Sequence, residues 1–315
     1  MIGGGSWGTA FACVLARAGH EVQLACRDPE PLRGARENAR YLPGVPLEAG
    51  VEPVGLDLTR QSRSSDLVAV AVPSGDVGLV AGEIAGDAPV LLLAKGLDPV
   101  SAGLLSASLD GRAGPVAVLS GPNHAEEIGR GLPAAAVVAS ADLELARTLQ
   151  RSIALPAFRL YASRDLVGVQ LAGASKNVIA IATGAADALG AGDNARAALM
   201  TRGLAEMARL GAALGADPRT YAGLAGMGDL IATCTSRHSR NRRAGELLAG
   251  GSDPCSIEGE VGMTVEGIHA APRLADLAIA NSVELPITAA VCAVLAGLPI
   301  REAMPLLLDR ALADE

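Results

Sequence analysis

Two lysines stand in this chain, Lys95 and Lys176, against twenty-four arginines. Arginine keeps its proton under all working conditions, whereas a lysine ammonium can be tuned to release one. A group that hands a proton to a reacting atom must be able to lose it. An arginine-rich composition accounts for the scarcity of lysine but not for the two placements. Lys95 ends an apolar run in Ala94-Lys95-Gly96, and Lys176 sits in Ser175-Lys176-Asn177 among small residues. Both are candidates for acid–base chemistry.

Other residues could hold anions. Gly3-Gly4-Gly5-Ser6-Trp7-Gly8 fits Gly-x-Gly-x-x-Gly. In that pattern the first glycine makes a tight turn, the second admits a pyrophosphate to the backbone, and the third lets helix pack on strand. A helix from about Ser6 to Ala18 would offer its first amides to the pyrophosphate. With 38 glycines in the chain the hexamer alone is weak; the helix, strand and charged residues that follow strengthen it. Arg27 comes nineteen residues after Gly8, where NAD sites usually place an acid for the ribose hydroxyl. An arginine there suits a 2′-phosphate, so NADP is the preferred cofactor, while Asp28 leaves NAD open.

Arg237, Arg240, Arg242 and Arg243 crowd together with His238, Ser239 and Asn241 in an otherwise acidic chain. With Ser239 capping a helix, backbone amides, an arginine fork and an asparagine amide would converge on one anion. The alternative is a solvated basic face. A nucleic-acid surface is disfavoured by the net charge of −8 and by the lack of stacking aromatics nearby. Asp229, in Gly226-Met227-Gly228-Asp229-Leu230, could bind a hydroxyl, orient a lysine or merely cap a helix. Ser120 to Glu127 follow a strand at the end where sites of parallel sheets lie. His124 and His238 have no metal partner at ligand spacing, so no metal is expected.

These residues need a frame. Apolar runs at Val22–Ala25 (interrupted by Gln23), Leu67–Val72, Val90–Leu93, Val116–Leu119 and Ala135–Val138 read as strands, buried on both faces where the run is continuous. Helical stretches between them make this an α/β Rossmann domain with a doubly wound, mostly parallel sheet, over residues 1–164. From 165 to 315 strand signals nearly vanish. Helices are expected there at Leu166–Ala188, Ala195–Leu214, Arg240–Leu248, Val265–Asn281 and Thr288–Leu295. A Rossmann sheet begins with a central strand before the glycine loop, yet only Met1 and Ile2 precede Gly3. The expectation is a native start several residues upstream.

The five cysteines are scattered and odd in number, which reads as reduced thiols in a cytoplasmic protein. No signal peptide is visible, and the run Ile287–Ile300 is too short to span a bilayer and contains Pro299.

Taken in order, the motifs resemble the bacterial NAD(P)-dependent glycerol-3-phosphate dehydrogenases from end to end. Carrying the resemblance are Gly3-x-Gly5-Ser6-Trp7-Gly8-Thr9-Ala10, Val72-Pro73-Ser74, Ala94-Lys95-Gly96-Leu97, Ser120-Gly121-Pro122 with His124-Ala125-Glu126-Glu127, and Ser175-Lys176-Asn177. Gly192-Asp193-Asn194-Ala195, Gly228-Asp229-Leu230, Thr233-Cys234-Thr235-Ser236, Ser239-Arg240-Asn241 and Val265-Glu266-Gly267 complete it.

The resemblance implies a second domain of the 6-phosphogluconate dehydrogenase C-terminal type. It implies reversible NAD(P)H-dependent reduction of dihydroxyacetone phosphate to sn-glycerol 3-phosphate, supplying glycerophospholipid synthesis. Lys176 and Lys95 are then the catalytic lysines, Lys176 as acid and base, Lys95 touching substrate and nicotinamide. Gly121, Asn123, Asp229, Ser239, Arg240 and Asn241 would line the substrate. Gly3, Gly5, Ser6, Trp7, Gly8, Arg27, Lys95, Ala125, Arg240 and Glu266 would face the cofactor. Two lysines in one pocket would lower each other's pKa. A homodimer is implied as well, with no nucleic acid and no membrane span. Asn123 departs from the family's usual Ser or Thr, and Thr264 from its usual Val. The competing readings are a ketopantoate or hydroxy-acid reductase, which needs a carboxylate clamp, and a non-catalytic NADPH sensor, which needs neither lysine.

Overall fold

Continuous apolar runs can be buried on both faces only in a sheet covered by helices. The computed structural model, which describes residues 1–111 and 114–303, has that arrangement in its first part. The elements are α1 (Ser6–Arg17), β1 (Val22–Ala25), α2 (Glu30–Ala35), β2 (Val51–Val54), α3 (Leu58–Arg63), β3 (Val68–Val70) and α4 (Val77–Glu83). They continue with β4 (Val90–Leu92), β5 (Val116–Ser120), α5 (Ala125–Gly129), β6 (Ala134–Ala139), α6 (Leu143–Ile153) and β7 (Phe158–Ser163). β3, β4 and β5 pair in parallel, β6 runs antiparallel to β5, and β7 parallel to β6. β1 and β2 form a separate parallel pair.

Ile2 joins the two sets. It bridges Ala25 and Val70, both in parallel. Its N–H donates to Ala69 O at 2.7 Å and its carbonyl accepts from Ala71 at 2.8 Å. On the other side Gly3 N reaches Ala25 O at 3.0 Å, and Ala25 N reaches Met1 O at 2.8 Å. The lead-in strand therefore exists as a bridge at Ile2, with backbone pairing on both edges. The core around it gathers Phe11, Leu24, Leu91, Leu119 and Phe158.

Two strands escape the reading of continuous apolar runs. β2 contains Pro53, and β7 alternates buried and exposed residues along Phe158-Arg159-Leu160-Tyr161. Both lie at ends of the sheet, where a strand needs one buried face and can hold a proline.

The second part has no strand among the described residues. Its helices are α7 (Leu166–Ala188), α8 (Gly192–Ala213), α9 (Pro218–Ala222), α10 (Asp229–Thr235), α11 (Arg240–Ala249), α12 (Ile257–Val261), α13 (Glu266–Ala280) and α14 (Pro286–Leu295). Backbone contacts divide the chain into Met1–Asp98 with Leu104–Gln170, and Pro99–Gly103 with Leu171 onward. By these contacts the division falls within the first turns of α7 (Leu166–Ala188), a few residues past 164. Residues 304–315 of the expected second domain lie outside the described residues.

α7 is the axis of the helical unit. A Cβ on its Gly184 would meet Arg242 O at 2.0 Å, and a Cβ on Gly245 of α11 would meet Ile181 O at 2.0 Å. The two helices therefore touch backbone to backbone. Gly203 of α8 and Gly267 of α13 approach the same helix almost as closely. α7 is long and apolar enough to cross a membrane, but 83% of its most apolar window is buried inside the fold. Its apolar surface is already covered by protein.

Candidate active site

In the first unit the candidate residues are mostly backbone. Gly3 has φ +111°, and a Cβ there would meet Ala71 O at 2.5 Å. A Cβ on Gly8 would fall 2.0 Å from Gly3 O, so α1 can rest on the turn only without a side chain there. Gly5 is different. Nothing lies within 4 Å of its notional Cβ. The loop needs Gly3 and Gly8 for its own packing, whereas the bare face of Gly5 suits a close-lying pyrophosphate. Gly5 also caps α1 and offers no side chain for that purpose, a role an anion can take.

Ser6 turns its hydroxyl inward, donating to Tyr41 O at 2.6 Å. The Trp7 ring packs on Phe11 at 5.5 Å, and its buried Nε1 has no hydrogen-bond partner among the described residues. Arg27, just past β1, is exposed and makes no ion pair among the described residues. These features fit a dinucleotide: a bare glycine face, a side-chain-free helix start, an orphaned donor and an available cation.

Lys95 follows β4 and donates from Nζ to Gly121 O at 2.8 Å, just beyond β5. The carboxyl ends of two neighbouring strands are thereby tied together. Gly121 has φ +144°, and a Cβ would meet Ala136 Cα at 2.9 Å, so only glycine fits. Next to it, both amide atoms of Asn123 are buried without a partner among the described residues. Buried polar atoms left unsatisfied are costly, and a ligand that pairs with them removes the cost. Ala125 is buried at the start of α5.

In the helical unit the candidate residues are buried side chains. Lys176 and Asp229 are 6% and 1% exposed. Lys176 Nζ lies 2.6 Å from Asp229 Oδ1 and donates to Thr233 Oγ1 at 2.6 Å. Asp229 opens α10 directly after a single π-helical turn, Leu224–Gly228. Such turns are rare and recur at functional sites. A Cβ on Gly226 would meet Tyr221 Cα at 2.4 Å, so the turn depends on that glycine. Asp229 and Thr233, four apart, share one face of α10. Of the partners open to Asp229, the structure shows a lysine.

Sequence reading passes over Thr233 as a site residue. Its signals there are the i, i+4 spacing from Asp229 and its place in Thr233-Cys234-Thr235-Ser236. Cys234 beside it is held as a thiol, its pKa pushed up to about 11 by burial.

Asn177, Asn241 and Gly267 form a second buried group. Asn241 Nδ2 donates to Asn177 Oδ1 at 2.9 Å, and Gly267 N donates to Asn241 Oδ1 at 2.8 Å. This chain links α7, α11 and α13 next to Lys176. Ser239 caps α11, accepting from Arg242 N at 3.2 Å.

The expected convergence of the basic cluster on one anion needs correction. Arg242 is paired with Asp187 and Glu246, and Arg243 with Glu246. Nearby acids neutralise half of the cluster. Arg240 remains exposed, with Nη1 on Thr264 O at 2.8 Å. That contact is through backbone, so the identity of residue 264 matters little to it. Glu266 is half-buried at the start of α13. No group of three or more His, Cys, Asp or Glu is placed to hold a metal among the described residues.

Comparison with known proteins agrees along the whole chain. Residues 1–146 match the N-terminal family of NAD-dependent glycerol-3-phosphate dehydrogenase, and residues 165–304 match its C-terminal family. The chain is 46% identical to glycerol-3-phosphate dehydrogenase [NAD(P)+] of Moorella thermoacetica, covering all of this chain and 96% of that one. It is 47% identical to the protein of the same name from Deinococcus radiodurans, over 94% and 90%. The crystal structure of glycerol-3-phosphate dehydrogenase from Coxiella burnetii superposes with a TM-score of 0.93 at 36% identity, covering 98% of each chain. A buried lysine–aspartate pair, a glycine loop shaped for a dinucleotide and matches at both ends lead to one conclusion: this chain belongs to the NAD(P)-dependent glycerol-3-phosphate dehydrogenases.

Proposed function

We propose that Lys176 is the acid with which this dehydrogenase reduces dihydroxyacetone phosphate to sn-glycerol 3-phosphate, and the base in the reverse direction. The observation that carries this is the buried Lys176–Asp229–Thr233 group. When bound, a reduced nicotinamide supplies the hydride. As the carbonyl carbon gains it, the C=O electron pair moves to oxygen. The Lys176 ammonium stabilises that charge and gives up one proton, leaving an alcohol and a neutral amine. Asp229 and Thr233 fix where the ammonium sits, so little reorganisation accompanies the transfer.

Lys95, in the first half of the chain, serves the substrate and the nicotinamide. Its bond to the Gly121 carbonyl sets its direction. Asn123 offers an amide donor and acceptor in place of a hydroxyl. On the helical side Arg240 and Ser239 hold the phosphate. One N–H of the Asn241 amide is engaged by Asn177, which leaves the other for substrate. Ser6, Trp7, Arg27, Ala125, Arg240 and Glu266 serve the cofactor, with Arg27 favouring NADPH through its 2′-phosphate. The product supplies phospholipid synthesis, in the cytoplasm and from a homodimer.

Oxidation of NADPH, followed with dihydroxyacetone phosphate, ketopantoate or no carbonyl added, tests this reading. Turnover is expected with the phosphorylated ketone alone. Equal turnover of ketopantoate would replace the phosphate site with a carboxylate clamp, and binding without turnover would leave a sensor.

A further inference from the structure

The glycine loop is held by a residue outside it. Asn38 is 1% exposed, and each polar atom of its side chain is engaged. Nδ2 donates to Gly4 O at 2.9 Å and to Thr9 Oγ1 at 2.7 Å, and Oδ1 accepts from Tyr41 N at 3.3 Å. Tyr41 in turn accepts the Ser6 hydroxyl. Asn38 lies in a compact loop closed by a bridge from Glu37 to Pro46 and by Gly44 N on Glu37 Oε1 at 2.8 Å. Leu42 and Val45 of the same loop pack with Ala10 of α1, Ala125 of α5 and Trp7. A Cβ on Gly129 of α5 would meet Val45 at 3.1 Å and Leu42 at 3.2 Å, so the contact with α5 is close.

A trans peptide is planar, with its C=O and N–H pointing in opposite directions. Fixing the Gly4 carbonyl on Asn38 therefore turns the Gly5 N–H away from Asn38. Glycines on both sides of that peptide would otherwise let it rotate. We propose that Asn38 is a positioning residue for the dinucleotide: by holding the Gly4 carbonyl it aims the Gly5 amide at the pyrophosphate. The loop from Glu37 to Pro46 keeps α1 and α5 in register beneath it. The proposal rests on reading Gly3–Gly8 as the cofactor loop.

Asn38→Asp keeps the shape and the acceptor for Tyr41 N but removes both donors from Nδ2. Protonation of the new carboxyl returns one donor. Trp7 is the sole tryptophan, so its fluorescence reports dinucleotide binding at this loop. NADPH titrated into the full-length protein should bind the variant about tenfold more weakly near pH 8, in line with a lost donor to a partly buried carbonyl. Part of the loss should be recovered near pH 5.5, relative to wild type. At saturating NADPH, kcat and the KM for dihydroxyacetone phosphate should stay within about twofold. Thr9→Val removes the other acceptor and should lower Tm with little change in NADPH affinity. Asn38→Ser, smaller and uncharged, should give an intermediate loss and serves if the aspartate variant does not fold.

Unchanged affinity in the folded Asn38 variants would overturn the proposal. So would affinity that falls in step with Tm across all three variants. Wild type that fails to bind NADPH would instead overturn the cofactor reading on which the proposal stands.

Discussion

The two halves of the chain are made of different material at their candidate residues. The first half, proposed to take the cofactor, relies on missing side chains: Gly3, Gly8 and Gly121 let backbone approach backbone, and Gly5 leaves a bare face. The second half, proposed to carry the catalysis, relies on side chains that are present, buried and paired, above all Lys176 with Asp229 and Thr233. Carbonyls and amides held in a turn recognise a phosphate by direction and need no titratable group. Proton transfer needs an ionisable group, and burying one requires a partner at hydrogen-bond distance. The difference also shows along the chain. The glycine loop occupies six consecutive residues, whereas Lys176 meets partners 53 and 57 positions away.

The contrast predicts losses of different kinds, the largest in the catalytic half. Lys176→Met should lower kcat by roughly 10²- to 10⁴-fold while NADPH affinity stays near wild type. It also strands Asp229, so the protein should be destabilised by about 3–5 kcal/mol. Lys176→Met combined with Asp229→Leu should regain stability and no activity. Near-normal turnover in either protein would remove Lys176 from the chemistry.

Within the cofactor half, two alanine substitutions should separate packing from binding. Gly8→Ala puts a methyl 2.0 Å from Gly3 O and should lower Tm and cofactor affinity together. Gly5→Ala meets nothing in the protein and should leave Tm unchanged while raising the KM for NADPH. A Gly5→Ala protein that binds NADPH normally would show that the pyrophosphate lies elsewhere.

Arg27→Ala should weaken NADPH more than NADH, because only NADPH carries the 2′-phosphate. Kd values for both cofactors decide it, and equal losses would sink the assignment.

The smallest effect concerns Glu206, a buried carboxylate with no lysine beside it. It accepts from Ile287 N at 2.6 Å and Thr288 N at 3.3 Å, at the start of α14. Burial raises its pKa above the ordinary 4.5, against the downward pull of those bonds. The folded state therefore holds the proton more tightly than the unfolded chain. Its stabilising contribution is complete below the ordinary value and is lost as pH rises through the raised one. Glu206→Gln should flatten that part of the Tm-versus-pH curve, and an unchanged slope would contradict the assignment.

Much of this was legible in the sequence, for reasons tied to particular residues. β4 read directly because a strand buried on both faces is a continuous apolar run, and β1 read despite its exposed Gln23. β2 and β7 did not, since end strands may alternate or carry proline. Lys95 and Lys176 stood out against the arginines. Asn38 did not, because its partners are set by the fold and no local pattern announces them, and Thr233 offered no more than its spacing from Asp229 and a motif position. The basic cluster misled in part: Asp187, far away in sequence, takes Arg242.

α7 has a consequence for how the chain is made. Every glycine contact described for it, and the partners of its lysine, lie later in the chain, in α8, α10, α11 and α13. A ribosome thus releases a helix as apolar as a membrane anchor before any of those partners exist. Until α13 has emerged, the nascent chain displays a surface that chaperones and membrane-insertion machinery are suited to bind. A chain ending at Ala188 should accordingly be found with membranes or aggregates, and synthesis through α13 should release it.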